Sequence, residues 1–241
     1  WLPFDHPLWI VYSSGTTGLP KPIVHGHGGT VVVALANKVL HNDVGCSYQP
    51  NSWGERFHWY SSTGWVMWNA QMSGLLNGST CCLFDGSPGG STVDAAGNKV
   101  APDWTTLWRF GANVGATFFG AGAAFFANCM KAGIDLSQCG ELRQVRALGT
   151  TGSPLSEEAQ RWGTAQFEAL GTPDIWWCNI SGGTDFAGAF IGGNRELPLV
   201  PGEMQCRMLG AAVESWNEQG QPVMDEVGEL VCTQPIPSMP L

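Results

Sequence analysis

The chain has 241 residues, enough for one large domain or two small ones that bury a core without disulfides or metals. Its net charge is -9 and it has no run of Lys or Arg, which argues against nucleic-acid binding because phosphate backbones require clustered cations. Charged residues make up 13% of the chain, roughly half of the usual fraction. Either part of the surface packs against other segments, or its polar groups are mostly hydroxyls and amides.

Apolar runs of strand length alternate with helical stretches through most of the chain. The predicted strands are 8–12, 80–84, 116–119, 144–148 and 174–179. The predicted helices are 27–40, 65–76, 104–114, 123–132 and 156–170, with Asp103 as an N-cap and with Gly78, Gly133 and Gly171 as stops. This alternation predicts an α/β fold, with a mostly parallel sheet and helices on both faces.

One uncharged stretch, residues 110–130, is long enough to cross a bilayer. It contains four glycines and two asparagines, which favours a buried strand between two helices. We therefore predict no membrane span, and no signal peptide is visible.

The pattern changes near Pro198. Residues 204–213 and 227–233 have the character of strands with no helix between them, and residues 218–221 have that of a hairpin turn. We therefore predict one α/β part over residues 1–197 and part of a small β-rich subdomain over residues 198–241.

A loop rich in glycine and hydroxyl residues joins the first predicted strand to the first helix. Hydroxyl side chains and glycine N–H groups suit an anion, and a lysine supplies positive charge. The predicted phosphate-binding residues are Ser13, Ser14, Gly15, Thr16, Thr17, Gly18 and Lys21. Pro20 and Pro22 exclude a Walker loop, which requires glycine and Gly-Lys-Ser/Thr at fixed spacing. On composition alone, a flexible connector explains the loop equally well.

The order of residues 12–21, Tyr-Ser-Ser-Gly-Thr-Thr-Gly-Leu-Pro-Lys, closely resembles the phosphate loop of the adenylate-forming superfamily. That superfamily includes acyl-CoA synthetases, luciferases and the adenylation domains of peptide synthetases. Pro22 departs from the glycine that usually follows the lysine. The resemblance implies that residues 1–197 are a central nucleotide-binding subdomain and that Lys21 binds the phosphates of ATP.

A second motif, Ser-Gly-Gly-Thr-Asp at residues 181–185, resembles the superfamily's aromatic-Gly-x-Thr-Glu motif. The resemblance implies that the Thr184 hydroxyl contacts the α-phosphate and that the Asp185 carboxylate helps to hold Mg²⁺, which prefers carboxylate and phosphate oxygens. Aspartate replaces the usual glutamate, and Ser181 replaces the aromatic residue that often stacks on adenine. A glycine-rich turn with a capping aspartate is the structural alternative.

A third motif, Gly-Thr-Thr-Gly-Ser-Pro-Leu at residues 149–155, resembles the superfamily's adenine-binding turn. It implies that Gly152, Ser153 and Pro154 line one face of the base. Alternatively, Ser153 caps the next helix and Pro154 fills its first position, and both interpretations can hold together. Residues 228–231, Gly-Glu-Leu-Val, resemble a structural motif of the superfamily's β region.

Residues 59–69 and 83–88, together with the motifs above, resemble the branch of the superfamily that activates acetoacetate. The resemblance covers essentially the whole chain and implies that Trp65 lies at the wall of the acyl pocket, although a tryptophan in an apolar helix is often a core residue. It implies ATP, Mg²⁺ and CoA as the small molecules used with a short-chain carboxylic acid. The alternatives are a non-catalytic nucleotide-binding relative and an enzyme that activates another short-chain acid or an amino acid.

Two further groups of polar residues are weaker candidates. The pair His25 and His27 has no carboxylate or cysteine near it in sequence, so a metal site is disfavoured. Glu55, Arg56 and His58 are predicted to lie in a loop near the acyl pocket, where solvation explains them more simply than contact with a β-keto group or CoA.

The eight cysteines are scattered without a CxxC pair, so we predict free thiols and a reducing compartment, the cytoplasm. The sequence begins at Trp1 without a methionine, from which we expect an excerpt of a longer protein. The resemblance implies a preceding N-terminal segment, a ribose-binding aspartate, a hinge and a C-terminal domain with a catalytic lysine. We therefore predict that these 241 residues alone are inactive.

Overall fold

The computed structural model describes residues 1–13, 18–45 and 54–241. Its strands are β1 (Pro7–Ser13), β2 (Lys21–Gly26), β3 (Arg56–Trp59), β4 (Thr80–Cys81), β5 (Phe118–Gly122), β6 (Ala147–Thr151), β7 (Trp176–Asn179), β8 (Ser181–Gly183), β9 (Gly188–Gly192), β10 (Cys206–Arg207), β11 (Val213–Trp216), β12 (Pro222–Val223) and β13 (Glu229–Cys232). Its α-helices are α1 (His27–Ala36), α2 (Val66–Met72), α3 (Thr106–Val114), α4 (Ala123–Lys131) and α5 (Glu157–Ala169). A π-helical turn (Asn37–His41) and two 3-10 turns (Ser73–Asn77 and Leu136–Gln138) accompany them.

Five strands form one parallel sheet in the order β4-β3-β5-β6-β7. Parallel neighbours require crossover connections, and here α2, α4 and α5 each lie between consecutive strands of the sheet. The predicted α/β class, with a mostly parallel sheet, is confirmed.

Both faces of this sheet are covered, as the apolar strand sequences predict. Helices α3, α4 and α5 cover one face, which we call the α3–α5 face. Phe119, Leu148 and Trp177 of the sheet pack against these helices there. On the α1–α2 face, the alternate residues Phe118 and Trp176 belong to a second core cluster, which α2 and the segment after α1 cover. Because side chains alternate along a strand, adjacent residues of β5 and β7 serve opposite cores.

The uncharged stretch 110–130 contains the end of α3, all of β5 and most of α4. The predicted strand between two helices is therefore confirmed. Among the described residues, no helix is long and apolar enough to cross a membrane.

One strand prediction was confirmed and one loop prediction was wrong. The strand predicted at residues 8–12 is β1, which pairs antiparallel with β2 in a hairpin separate from the parallel sheet. Residues 56–59, predicted as a loop, form β3 inside the parallel sheet between β4 and β5. Arg56 and His58 obscured this strand because polar side chains interrupt its apolar pattern.

The helix boundaries show which capping predictions hold. Gly78, Gly133 and Gly171 adopt the positive φ angles typical of helix stops, at 77°, 64° and 86°. The N-cap of α5 is Ser156, whose hydroxyl accepts from the Ala159 N–H at 3.2 Å. The prediction that Ser153 caps this helix is therefore wrong, because the chain stays non-helical for three more residues.

Asp103 is not the N-cap of α3, which begins two residues later than predicted. Its carboxylate accepts from the Thr105 backbone N–H at 3.0 Å, closing a turn that precedes the helix.

The C-terminal part contains short antiparallel sheets. Residues 204–213, predicted as one strand, contribute β10 to the sheet β10-β9-β8 and the start of β11 to the sheet β12-β11-β13. The predicted hairpin turn at 218–221 is confirmed, with the Asn217 N–H donating to the Gln221 carbonyl at 2.9 Å and Gly220 at φ 72°. The division after residue 197 stays a prediction, and β10 pairs with β9 across it.

Candidate functional site

A cleft of about 450 Å³ opens at the carboxyl ends of β6 and β7. In parallel α/β sheets, ligands bind outside the carboxyl ends of the strands. This strand-end cleft contains three residues that the motifs single out, namely Trp65, Gly152 and Thr184. These residues are far apart in sequence, and the sheet brings them to one edge.

The turn after β6 depends on glycine. Gly152 has φ 91°, a region that side chains other than glycine rarely adopt, and a Cβ there would lie 3.6 Å from the Trp65 ring. Thr151 fixes the turn to the end of β7 through a 2.8 Å hydrogen bond to the Ile180 carbonyl. Ser153 and Pro154 follow on the exposed side of this turn.

The paired glycines before Thr184 have a structural reason. A Cβ on Gly182 would lie 2.3 Å from the Gly188 carbonyl oxygen, so β8 and β9 could not approach each other. This tight hairpin places half-buried Thr184 at the cleft. Its glycines are therefore required by the fold whether or not a phosphate binds there.

Asp185 follows Thr184 directly but does not line the strand-end cleft. It is exposed and lines a different hollow, of about 440 Å³, together with Thr233 and Met239. No group of three His, Cys, Asp or Glu residues within 1–13, 18–45 and 54–241 is arranged to hold a metal. A magnesium ion at Asp185 would therefore need phosphate or water oxygens as its other ligands.

The hairpin of β1 and β2 carries the two ends of the predicted phosphate loop. Ser13 and Lys21 are paired across the hairpin, and Lys21 is exposed. No heavy atom of the described residues lies within 4 Å of a Cβ built on Gly18, so there is open space beside this residue. The other predicted loop residues, Ser14, Gly15, Thr16 and Thr17, lie outside the described residues.

His25 links this hairpin to the Thr184–Asp185 turn. The Trp9 Nε1–H donates to His25 Nδ1 at 2.9 Å, and His25 Nε2 lies 3.0 Å from the Asp185 carbonyl oxygen. An indole nitrogen is only a donor, so Nδ1 accepts and Nε2 carries the proton that Asp185 accepts. His25 is completely buried. Sequence reasoning considered it only as a metal ligand, because its partners are 16 and 160 residues away.

An inner cavity of about 80 Å³ lies beside the strand-end cleft on the α1–α2 face. The residues that line both spaces are Val66, Met67, Ile180, Gly188 and Ala189. The cavity also contains Thr30 of α1 and Trp59 of β3, neither of which was predicted as a site residue.

Lys38, in the π-helical turn after α1, also lines the inner cavity and is buried. Its Nζ lies over the Phe57 ring, 3.3 Å from the centroid, an arrangement that favours the charged form. Desolvation by burial is the largest influence on this group and lowers the pKa of Lys38 to about 7, although the nearby Cys81 and Cys178 thiols act to raise it. Burial raises the pKa of the neighbouring Cys178 thiol to about 11, so this thiol stays neutral at pH 7.

Glu55, Arg56 and His58 were predicted as solvated loop residues near the acyl pocket, and this prediction was wrong. Arg56 and His58 lie in β3, and Glu55, which directly precedes the strand, accepts from Arg146 Nε at 3.0 Å. His58 is buried, and its Nδ1 lies 2.8 Å from the Cys82 carbonyl. Burial lowers the pKa of His58 to about 4.

Among the described residues the seven cysteines are free thiols, as predicted, and Cys46 lies outside those residues. Cys129 is one of the buried thiols. It accepts from the Trp108 Nε1–H at 3.3 Å, and burial raises its pKa to about 12.

A family model described as AMP-binding enzyme matches residues 1–238 of the chain. The chain belongs to this family. Its fold agrees: the solved acetoacetyl-CoA synthetase from Streptomyces lividans superposes with a TM-score of 0.85 and is 46% identical, over 99% of this chain and 34% of that one.

Curated relatives carry the same name. The acetoacetyl-coenzyme A synthetase of Rhizobium meliloti (strain 1021) is 40% identical over 100% of this chain and 34% of its own length. The acetoacetyl-CoA synthetase of Gallus gallus is 37% identical over 99% of this chain and 32% of its own length. The chain thus spans about a third of the length of these relatives.

Proposed function

We propose that the protein containing this chain is an AMP-forming acid–thiol ligase for a short-chain β-keto acid, with acetoacetate as the expected substrate. The observation that carries the proposal is the strand-end cleft, where Trp65, Gly152 and Thr184 meet in a member of the AMP-binding enzyme family. The similarity to acetoacetyl-CoA synthetases supports the choice of acid.

The proposed reaction has two steps. A carboxylate oxygen attacks the α-phosphorus of ATP and breaks its bond to pyrophosphate, which leaves an acyl-adenylate. The thiol of CoA then attacks the acyl carbon, AMP leaves, and the thiol proton passes to solvent. The first step brings two anions together, so oriented donors and cations must offset their repulsion.

The chain offers groups of the required kind, and we propose that they act together on ATP. The exposed Lys21 ammonium and the backbone at Gly18 are proposed to bind the outer phosphates. The Thr184 hydroxyl is proposed to donate to an α-phosphate oxygen as negative charge develops there. Gly152, Ser153 and Pro154 are proposed to form a wall for adenine, packed against Trp65.

Mg²⁺ fits the chemistry of this turn because Asp185 presents an exposed carboxylate beside Thr184. When bound, the ion would neutralise phosphate charge. Its remaining ligands would be phosphate and water oxygens, which Mg²⁺ prefers.

The test is acid-dependent ATP–pyrophosphate exchange by the full-length protein with acetoacetate, butyrate and acetate. We expect exchange with acetoacetate, and expect Thr184→Ala to lower its kcat/KM roughly 100-fold through loss of one donor to developing charge. Thr92→Ala, in an exposed loop, is the matched control. Nucleotide binding without exchange for any acid would instead identify a non-catalytic relative.

A further inference from the structure

Two buried polar groups that line the inner cavity have no hydrogen-bond partner in the described part of the chain. They are Thr30 Oγ1 and Trp59 Nε1, on residues that are 4% and 2% exposed. A helical threonine can satisfy its hydroxyl on the carbonyl one turn back, and a buried indole N–H usually finds a partner. Each unpaired group costs about 1–3 kcal/mol, so both indicate a further molecule in the cavity.

The orientation of Trp59 is built into the sheet. A Cβ on Gly120 would lie 2.3 Å from Trp59 Cε3, and a Cβ on Gly149 would lie 2.4 Å from Cζ3. The two glycines therefore make room for the benzo edge of the indole over β5 and β6. Nε1 lies on the opposite long edge of the ring, so the unpaired N–H is directed away from these glycines.

The rest of the cavity wall is largely apolar. It includes Ala34, Val66, Met67, Ala70, Ile180 and Met208. Lys38 also lines the space, but its Nζ lies over the Phe57 ring. A largely apolar pocket with a few placed polar groups is typical of a small-molecule site.

The volume and the donors together define the chemical class of the occupant. The cavity of about 80 Å³ exceeds the ~30 Å³ of one water and is in the size range of a short carbon chain. The indole N–H can only donate, so the occupant must offer an acceptor. A hydrocarbon chain that carries one carbonyl oxygen meets both requirements.

We propose that the inner cavity holds the acyl chain of the acid and that Trp59 Nε1–H and Thr30 Oγ1–H donate to an oxo group on that chain. This inference rests on the proposed ligase function, which places the carboxylate in the adjoining strand-end cleft. Met67 and Ile180 are among the residues that line both spaces, so the two spaces adjoin. The two donors thereby become specificity-determining residues for a β-keto acid.

The experiment compares acetoacetate with butyrate, which has the same length but no oxo oxygen, in ATP–pyrophosphate exchange by the full-length protein. We expect the wild type to favour acetoacetate in kcat/KM by roughly 100-fold, because butyrate leaves both donors unpaired. Thr30→Val keeps the volume and removes the hydroxyl. It is expected to lower this preference roughly 10-fold, mainly through a lower kcat/KM for acetoacetate.

Two matched variants separate hydrogen bonding from packing. Thr30→Ser retains the hydroxyl and is expected to keep most of the preference. Replacement of Trp59 by its benzothienyl analogue exchanges the N–H for sulfur in a ring of nearly the same shape, and is expected to lower the preference as Thr30→Val does.

The outcomes distinguish this inference from the proposed function. Equal activation of acetoacetate and butyrate by the wild type would overturn the inference and leave the ligase function standing. An unchanged preference in both Thr30→Val and the benzothienyl variant would also overturn it. If no acid supports exchange, the proposed function fails and the inference fails with it.

Discussion

The two faces of the central sheet are packed in different ways. On the α3–α5 face, aromatic rings close the core, as where Trp108 stacks on Phe119 with centroids 4.4 Å apart. On the α1–α2 face, the core contains a buried lysine and the inner cavity, which the unpaired Thr30 Oγ1 and Trp59 Nε1 line.

Glycines allow close approach on both faces, with opposite results. A Cβ on Gly163 of α5 would lie 2.5 Å from Trp177 Cζ2, so this glycine lets the helix approach the ring and the core closes. Gly149 lets Trp59 lie equally close to the sheet, yet the indole N–H remains unpaired beside a cavity. The comparison suggests that the α3–α5 face provides stability and that the α1–α2 face gives up some stability for a ligand.

The largest expected effect on stability is on the α3–α5 face. Trp177→Ala removes a fully buried ring and should lower the free energy of unfolding by about 3–5 kcal/mol, because the surrounding helices cannot fill the space. Urea unfolding measures the loss, with Trp1→Ala at a fully exposed site as the control. A loss below about 1 kcal/mol would show that this face is not tightly packed.

Lys38→Met on the α1–α2 face is expected to raise the free energy of unfolding, whereas Trp177→Ala lowers it. The folded-state pKa of Lys38, about 7, lies below its usual value of 10.5, so folding disfavours its protonated form. The penalty is largest below pH 7 and is relieved by about 1.4 kcal/mol per unit as pH rises from 7 toward 10.5. Lys38→Met should therefore stabilise the fold by a few kcal/mol at pH 6.

The comparison for Lys38 uses unfolding at several pH values, with the exposed Lys99→Met as control. The advantage of Lys38→Met should shrink as pH rises above 7. An advantage that is constant with pH would contradict the assignment of the penalty to charge.

His58 should make the α3–α5 face sensitive to acid. Its folded-state pKa is about 4, below the usual 6.5. The contribution of neutral His58 to the free energy of unfolding is therefore complete above pH 6.5 and falls as pH decreases toward 4. Over this range the free energy of unfolding falls by up to about 3 kcal/mol. His58→Asn keeps a donor for the Cys82 carbonyl but does not titrate, so the difference between the wild-type and variant stabilities should change with pH in this window.

The smallest expected effect on stability is at Thr30. Thr30→Val replaces an unpaired buried hydroxyl with a methyl group of the same shape, so the free energy of unfolding should change by less than about 1 kcal/mol and should not fall. A clear loss in thermal unfolding would mean that the hydroxyl has a partner in the free protein.

The sequence predicted those parts of the fold whose signals are local. Gly133 and Gly171 end helices as predicted, and the uncharged stretch 110–130 forms a helix, a strand and a helix. β3 was missed because its partners, β4 and β5, begin more than 20 residues away and because Arg56 and His58 interrupt its apolar pattern.

The site was predictable only where a motif carries it. Trp65, Gly152 and Thr184 meet in one cleft, and their roles in nucleotide binding stay predictions. Thr30 and Trp59 could not be selected from sequence, because the absence of a partner for a buried group depends on tertiary contacts.

The buried His25 ring connects two parts of the candidate site. His25 is held by Trp9 on one side and by the Asp185 carbonyl on the other, so the strand that carries Lys21 and the turn that carries Thr184 share a rigid support. A displacement of one would therefore be transmitted to the other, and we expect the distance between Lys21 and Thr184 to be nearly the same with and without a bound ligand.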